Sequence, residues 1–362
     1  TCMSTETRIK TSSSRAWLHS LTQDQTSIRV LRYAVGVTLS AALAHAVNWP
    51  LSFLLPVLVA FMLSLPLPIP SLAAGLRNML HTLMAFGLGL VFALFLLRFP
   101  FVFILMFALV MYQLYYYLNR GGSLWLTVMG VLAVLLLSLL GNAHEGLAVS
   151  VSLNFIWTGW LTMVMVWLAY LLVPDPRSAP YSPASGFHPG YSAAAADAAL
   201  RSTIVILPLA TLFFMLDLVS YMLVMIFAAL FILKPELSAG KQAGMNSLIS
   251  TLLGGAFAWV FYWLIVAVPE YYFYVVLMFL TALFFGINVF SDSPTAKYYN
   301  SALIALLILV NGSMGEGAEF TEKFIMRVIL LTLAVIYIVA ALRSLEVLWP
   351  VQRIEQRSAN QN

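Results

Sequence analysis

Residues 67–89, LPIPSLAAGLRNMLHTLMAFGLG, and residues 237–258, LSAGKQAGMNSLISTLLGGAFA, are the most informative part of the chain. Each opens on small residues and serine, passes one basic side chain (Arg77 or Lys241), and continues into an apolar run. An uninterrupted apolar run of about 18–25 residues can cross the hydrocarbon of a bilayer as a helix. Similar runs recur along nearly the whole sequence and predict twelve helices, near 29–47, 51–68, 76–97, 100–118, 123–140, 147–173, 201–216, 219–233, 244–268, 271–290, 300–315 and 324–342. Composition agrees: 62% of the 362 residues are hydrophobic and 9% charged, against about 45–50% and about 25% in soluble domains. The expected fold class is all-α, a polytopic membrane protein.

The distribution of Lys and Arg tests that assignment independently, because basic residues collect on the cytoplasmic side of membrane proteins. With the N-terminus inside, all but three of the 18 Lys and Arg residues lie cytoplasmic, the exceptions being Arg98, Lys323 and Arg327. The acids Glu145, Asp217, Glu270, Glu316, Glu319 and Glu322 fall on the outer side. The expected topology therefore has both termini in the cytoplasm. The net charge of +4 is scattered among loops rather than gathered on one face, which argues against nucleic acid as a partner. One cysteine, Cys2, allows no internal disulfide, and no Cys/His spacing suggests a metal. The polar first 28 residues lack an apolar core and read as a cytoplasmic tail rather than a cleaved signal peptide.

The two quoted segments are related by an offset of 169 positions, the separation of Arg32 and Arg201. In this register Pro66 meets Pro235, Ala74-Gly75 meets Ala243-Gly244, Thr82-Leu83 meets Thr251-Leu252, Pro100 meets Pro269 and Asn119 meets Asn288. Matched prolines, glycines and charges at breaks indicate duplication. Six helices per repeat is an even number, so the repeats are expected to be parallel. The domain reading is a tail over 1–28, a first repeat over 29–173, a cytoplasmic linker over 174–199, a second repeat over 200–343 and a tail over 344–362.

Lys234-Pro235 followed by residues 237–258, together with the matching segment 67–89, resembles the signature of fusaric acid resistance (FUSC) and aromatic acid exporter proteins. The resemblance covers the transmembrane parts of both halves and is strongest around Gly244, Thr251, Gly254 and Gly255. It implies a multi-pass bacterial inner-membrane efflux component for small aromatic, amphipathic or anionic compounds, proton-coupled and working with a HlyD-type periplasmic adaptor. Larger members carry a sizeable cytoplasmic domain, whereas only the linker separates the halves here, so this chain resembles a compact form.

Phosphate-cradling and metalloprotease motifs are absent from the sequence, no cofactor is implied, and an enzyme is not expected. Polar groups in or near spans are the better candidates, since hydrocarbon penalises them unless they face a cavity or a partner. Asp217 ends the seventh helix where the first repeat has Asn48, and His45 lies one turn earlier. Asn78 and His81 share a face of the third helix, and Asn154 lies in the sixth. These six are the transport or proton candidates, although each also suits ordinary hydrogen bonding between helices. Arg32, Arg201, Pro208, Gly254 and Gly255 are candidates for gating or packing, with Pro208 expected to free a carbonyl in the seventh helix. Gly87 and Gly89 are expected to allow close helix approach. A homo-oligomer is a further partner expectation, and the alternative function is a non-transporting scaffold that holds an envelope partner on the acidic segment 311–323.

Overall fold

The structure is a computed structural model that describes residues 25–49, 51–65, 69–174, 190–233, 237–313 and 320–348. Among these are twelve α-helices and no strand: α1 (Gln25–Ala46), α2 (Leu54–Ser64), α3 (Leu72–Leu94), α4 (Pro100–Asn119), α5 (Leu124–Ala143), α6 (Glu145–Leu172), α7 (Ala193–Met215), α8 (Met222–Phe231), α9 (Leu237–Ala267), α10 (Tyr271–Val289), α11 (Ala296–Ser313) and α12 (Phe320–Leu348). Glu316, Glu319, most of the predicted linker and most of both tails lie outside the described residues, as do the side chains of Glu322, Lys323 and Arg327.

Nine of the described helices, all but α2, α8 and α11, are long and apolar enough to cross a membrane. The protein is a multi-pass membrane protein. The predicted spans 51–68 and 219–233 need correction: α2 has 11 residues and α8 has 10. At 1.5 Å per residue they rise only about 15–16 Å, roughly half of a hydrocarbon core about 30 Å thick. The reason is local. Leu65, which caps α2, is extended at φ −67° and ψ 139°, the conformation a following proline imposes, and Pro66 follows it. Lys234-Pro235 stands in the same place beyond α8. α7 begins at Ala193, earlier than hydropathy suggests, because Ser192 caps it by accepting from the Ala195 amide and alanines follow.

The chain forms two compact units, and neither coincides with a sequence half. Unit 1 draws its described residues from Thr1–Leu80, Asn154–Pro183 and Ile249–Phe324, and unit 2 from His81–Leu153, Ala184–Leu248 and Ile325–Asn362. In unit 1, α1 packs along α2 and α10, and α11 packs against α2 and α10. In unit 2, α7 packs along α8 and α4, and α5 packs against α8 and α4. Each unit thus takes its first two helices from one half of the sequence and its next two from the other half. The unit 1 core joins Val37, Leu55, Val59, Met278 and Leu306, and the unit 2 core joins Ile206, Val224, Ala228, Met111 and Leu135.

The gapless register of 169 holds as far as the third helix, where Thr82 and Thr251, Ala85 and Gly254, and Phe92 and Phe261 are all buried. It fails in the fourth. At that offset, buried Phe103, Phe107 and Met111 of α4 fall on exposed Tyr272, Val276 and Leu280 of α10. Their buried counterparts are Tyr274, Met278 and Ala282, two residues further on. α9 runs four residues past the position equivalent to the end of α3 and the connection after it is two residues shorter, so Pro100 starts α4 while Pro269 precedes the Glu270 cap of α10. The sequence matches Pro100–Pro269 and Asn119–Asn288 are therefore not structural equivalents.

Candidate functional site

A helix that stops within the hydrocarbon leaves its last carbonyls without intrahelical partners, and lipid supplies none. At the ends of α2 and α8 polar side chains do gather. Around α2 they form a chain across three helices of unit 1. The Tyr33 hydroxyl on α1 donates to Asn300 Oδ1 on α11 at 2.9 Å, and Asn300 Nδ2 donates to Ser64 Oγ on α2 at 3.1 Å. The Ser64 hydroxyl donates to the Phe61 carbonyl at 2.8 Å. Tyr33 is 1% exposed, so its hydroxyl depends on that amide.

In unit 2 the end of α8 is bonded directly. Ser202 Oγ donates to the Ile232 carbonyl at 2.8 Å and the Tyr115 hydroxyl to the Ala229 carbonyl at 3.1 Å. Tyr33 and Ser202 are separated by the 169 offset, so both first helices send a hydroxyl toward the end of the short helix. None of these five residues stands out in hydropathy, but a hydroxyl directly after Arg32 and after Arg201 is a legible signal.

The two arginines are buried, at 5% and 4% exposure. Arg32 Nε donates to the Val173 carbonyl just beyond α6 at 3.1 Å, and its guanidinium lies 3.9 Å from the Tyr170 ring centroid. Arg201 Nε donates to Asp197 Oδ2 at 2.8 Å within α7. A buried charge is tolerated when held in this way, and the cation–π contact adds to the hold on Arg32.

Asn48 and Asp217 prove to have a shared backbone role. Both adopt the left-handed conformation, with φ 48° and 50°, just beyond α1 and α7, and Asn and Asp are the non-glycine residues that tolerate it best. Asp217 Oδ1 also accepts from Asn142 Nδ2 at 3.0 Å in an exposed position. The contrast between acid and amide is thus accommodated by one turn geometry. Asp217→Asn is expected to leave the melting temperature unchanged. Asp217→Val should cost about 1–2 kcal/mol, the penalty for a side chain held left-handed, which thermal unfolding in detergent will measure.

His45 is half-buried against two rings of α10, stacked on Tyr271 with centroids 6.0 Å apart and tilted against Tyr274 at 4.9 Å. At the 169 offset, Phe214 sits against Phe103 and Phe107 at 4.8 and 5.7 Å. An aromatic slot exists in both units, and unit 1 fills it with a titratable ring. His45→Phe is expected to keep the fold within about 0.5 kcal/mol, a neutrality that the same melting assay checks.

Asn78 and His81 of α3 and Asn154 of α6 are half-buried and each has an interaction partner. Beside them the tryptophans tie α3 down: Trp125 Nε1 donates to Thr82 Oγ1 at 3.0 Å and Trp160 Nε1 to the Met79 carbonyl at 3.2 Å. Pro208 lies inside α7, which continues through it. The Tyr337 hydroxyl donates to the carbonyl of Val205 at 2.6 Å, beside the carbonyl that Pro208 frees. Gly89 lies against the Ala133 carbonyl and Gly254 against the Ala302 carbonyl, as close helix approach requires, and Gly255 is buried. Gly87 departs from that expectation, since nothing lies within 4 Å of where its Cβ would be. Arg98, one of the basic exceptions, meets Glu145 at 3.5 Å in an exposed pair.

Residues 29–169 match the profile of a family described as a protein of unknown function (DUF2955). The match covers α2 through α5, most of α1 and most of α6. No curated protein and no solved structure matches the chain.

Proposed function

We propose that this protein is a multi-pass export carrier of the bacterial inner membrane, moving small aromatic, amphipathic or anionic compounds outward in exchange for protons. The observation that supports it most is the pair of short helices, α2 and α8, at corresponding places in the two sequence halves. Short or interrupted segments in matched positions are the feature by which carriers build a site within the bilayer. The polar residues at their ends, Tyr33, Ser64 and Asn300 in unit 1 and Tyr115 and Ser202 in unit 2, are the groups a substrate would compete for. His45, His81 and Asp217 are the titratable groups that would supply proton coupling, and Arg32, bonded to the Val173 carbonyl, and Arg201, paired with Asp197 inside α7, are the gating candidates. The duplicated halves are read as parallel, with both termini cytoplasmic and a HlyD-type adaptor as periplasmic partner. This carrier is not an enzyme and uses no cofactor.

Uptake into inverted vesicles tests the reading. Wild-type vesicles are expected to accumulate members of an aromatic-acid and detergent panel in a manner abolished by a protonophore, and to do so less when His81 is replaced by Ala or Asp217 by Asn. Absence of accumulation across the panel, with an envelope protein co-purifying instead, would replace the carrier with the scaffold.

A further inference from the structure

Each short helix receives a tyrosyl hydroxyl at its end, but the two tyrosines come from helices that are not equivalent. Tyr33 lies on α1 and reaches the end of α2 through Asn300. Tyr115 lies on α4 and donates straight to the Ala229 carbonyl of α8. Both rings are buried, at 1% and 0% exposure.

The two registers identify what faces each ring. α1 and α7 follow the offset of 169, so Ser202 occupies the place of Tyr33. α4 and α10 follow the slipped register, in which buried Phe103, Phe107 and Met111 correspond to buried Tyr274, Met278 and Ala282, 171 positions further on. Carried on by one more turn, that register makes Gly286 the counterpart of Tyr115, and Gly286 is buried as well. α1 packs along α10, and α7 along α4. The facing pair is therefore tyrosine and glycine in unit 1, and serine and tyrosine in unit 2.

Packing shows that the tyrosine and the glycine share one space. A Cβ on Gly286 would lie 3.2 Å from Tyr33 Cδ1 and 3.4 Å from Val30 Cγ1, so a second ring cannot enter while Tyr33 is there. Hydrogen bonding shows what the ring brings. In the last turn of α8 the Ile232 amide donates to the Ala228 carbonyl and the Leu233 amide to the Leu230 carbonyl, and the Ala229 carbonyl between them accepts from Tyr115. A tyrosine delivers such a donor on an apolar ring, which suits a helix end that lipid cannot satisfy.

We propose that Tyr33 and Tyr115 are equivalent positioning residues, one per unit, each holding the end of its short helix through its hydroxyl. The ring can come from either of two facing helices, provided that the position opposite is small. This role does not depend on what the protein carries.

The test moves the tyrosine of unit 1 from one wall to the other in the full chain, with the thermal midpoint in detergent as readout. Tyr33→Ser and Gly286→Tyr are each expected to lower the midpoint by several degrees, the first by removing ring and hydroxyl and the second by crowding. Together they reproduce the arrangement of unit 2 and should recover more than half of the larger loss. Tyr33→Ser with Gly286→Phe returns the ring without the hydroxyl and should recover clearly less. Tyr33→Phe and Tyr115→Phe should each lower the midpoint. Losses that simply add in the Tyr33→Ser, Gly286→Tyr protein would overturn the shared space, as would failure of that protein to fold. Equal recovery by tyrosine and phenylalanine at position 286 would overturn the role of the hydroxyl, and a midpoint unmoved by either Tyr→Phe change would overturn the equivalence.

Discussion

Asn300→Leu is expected to lower the stability of the detergent-solubilised protein by about 1–3 kcal/mol, seen as a drop of several degrees in the thermal midpoint. The substitution removes the acceptor of the Tyr33 hydroxyl and the donor to Ser64 in one step. A side-chain hydrogen bond in a membrane protein averages only about 0.6 kcal/mol, so two lost bonds alone give the lower end of the range. The larger part comes from Tyr33, whose buried hydroxyl is left without a partner, a penalty of about 1–3 kcal/mol. If that argument is right, the same substitution made on a Tyr33→Phe, Ser64→Ala background should cost less than half as much, because no polar group is then stranded. An equal cost in both backgrounds would mean that Asn300 acts through packing and that the three-helix chain is incidental.

Gly254→Val is expected to have the larger effect on assembly. A Cβ at this position of α9 would run into the Ala302 carbonyl oxygen and come within 3.0 Å of the Ala305 Cβ on α11. Backbone cannot turn aside as a flexible side chain can, so α9 and α11 must separate, with a cost of about 1–3 kcal/mol or more for overpacking. Loss of the monodisperse species after solubilisation is the expected readout. Gly87→Val serves as its control: open space surrounds that position, and the variant should purify like wild type. Matching losses at both glycines would show that helix propensity rather than close approach decides the outcome.

Helix positions were legible in the sequence because lipid imposes a simple rule: an apolar run must be a helix, and charges mark its ends. The predicted 100–118 and the observed Pro100–Asn119 differ by one residue. The short helices were not legible, since the apolar character of 51–65 continues smoothly through the region where α2 starts and only Pro66 stops it. Hydropathy counts apolar side chains and is insensitive to where the backbone turns. The functional residues were hidden for a related reason. Ser64 and Asn300 lie near helix ends, where polar residues are expected anyway, Tyr33 sits two turns inside α1, and only the topology of unit 1 brings α1, α2 and α11 together. Asp217 shows the converse: its contrast with Asn48 is plain in the sequence, yet the shared left-handed turn explains why both positions take Asn or Asp. The register slip at α4 arises because α9 runs four residues further than α3 before a turn two residues shorter, a net change of two that is too small to disturb matches among apolar residues.

Single-cysteine accessibility, in a background with Cys2 replaced by Ser, tests most directly whether α2 and α8 stop inside the membrane at a polar site. Under transport conditions, cysteines at positions 64, 65, 232 and 233 are expected to react with a water-soluble thiol reagent, while those at 58–60 and 226–228 stay protected. Protection continuing unbroken through 64–65 and 232–233 would mean that both segments lie sealed in hydrocarbon, contradicting a transport site at their ends.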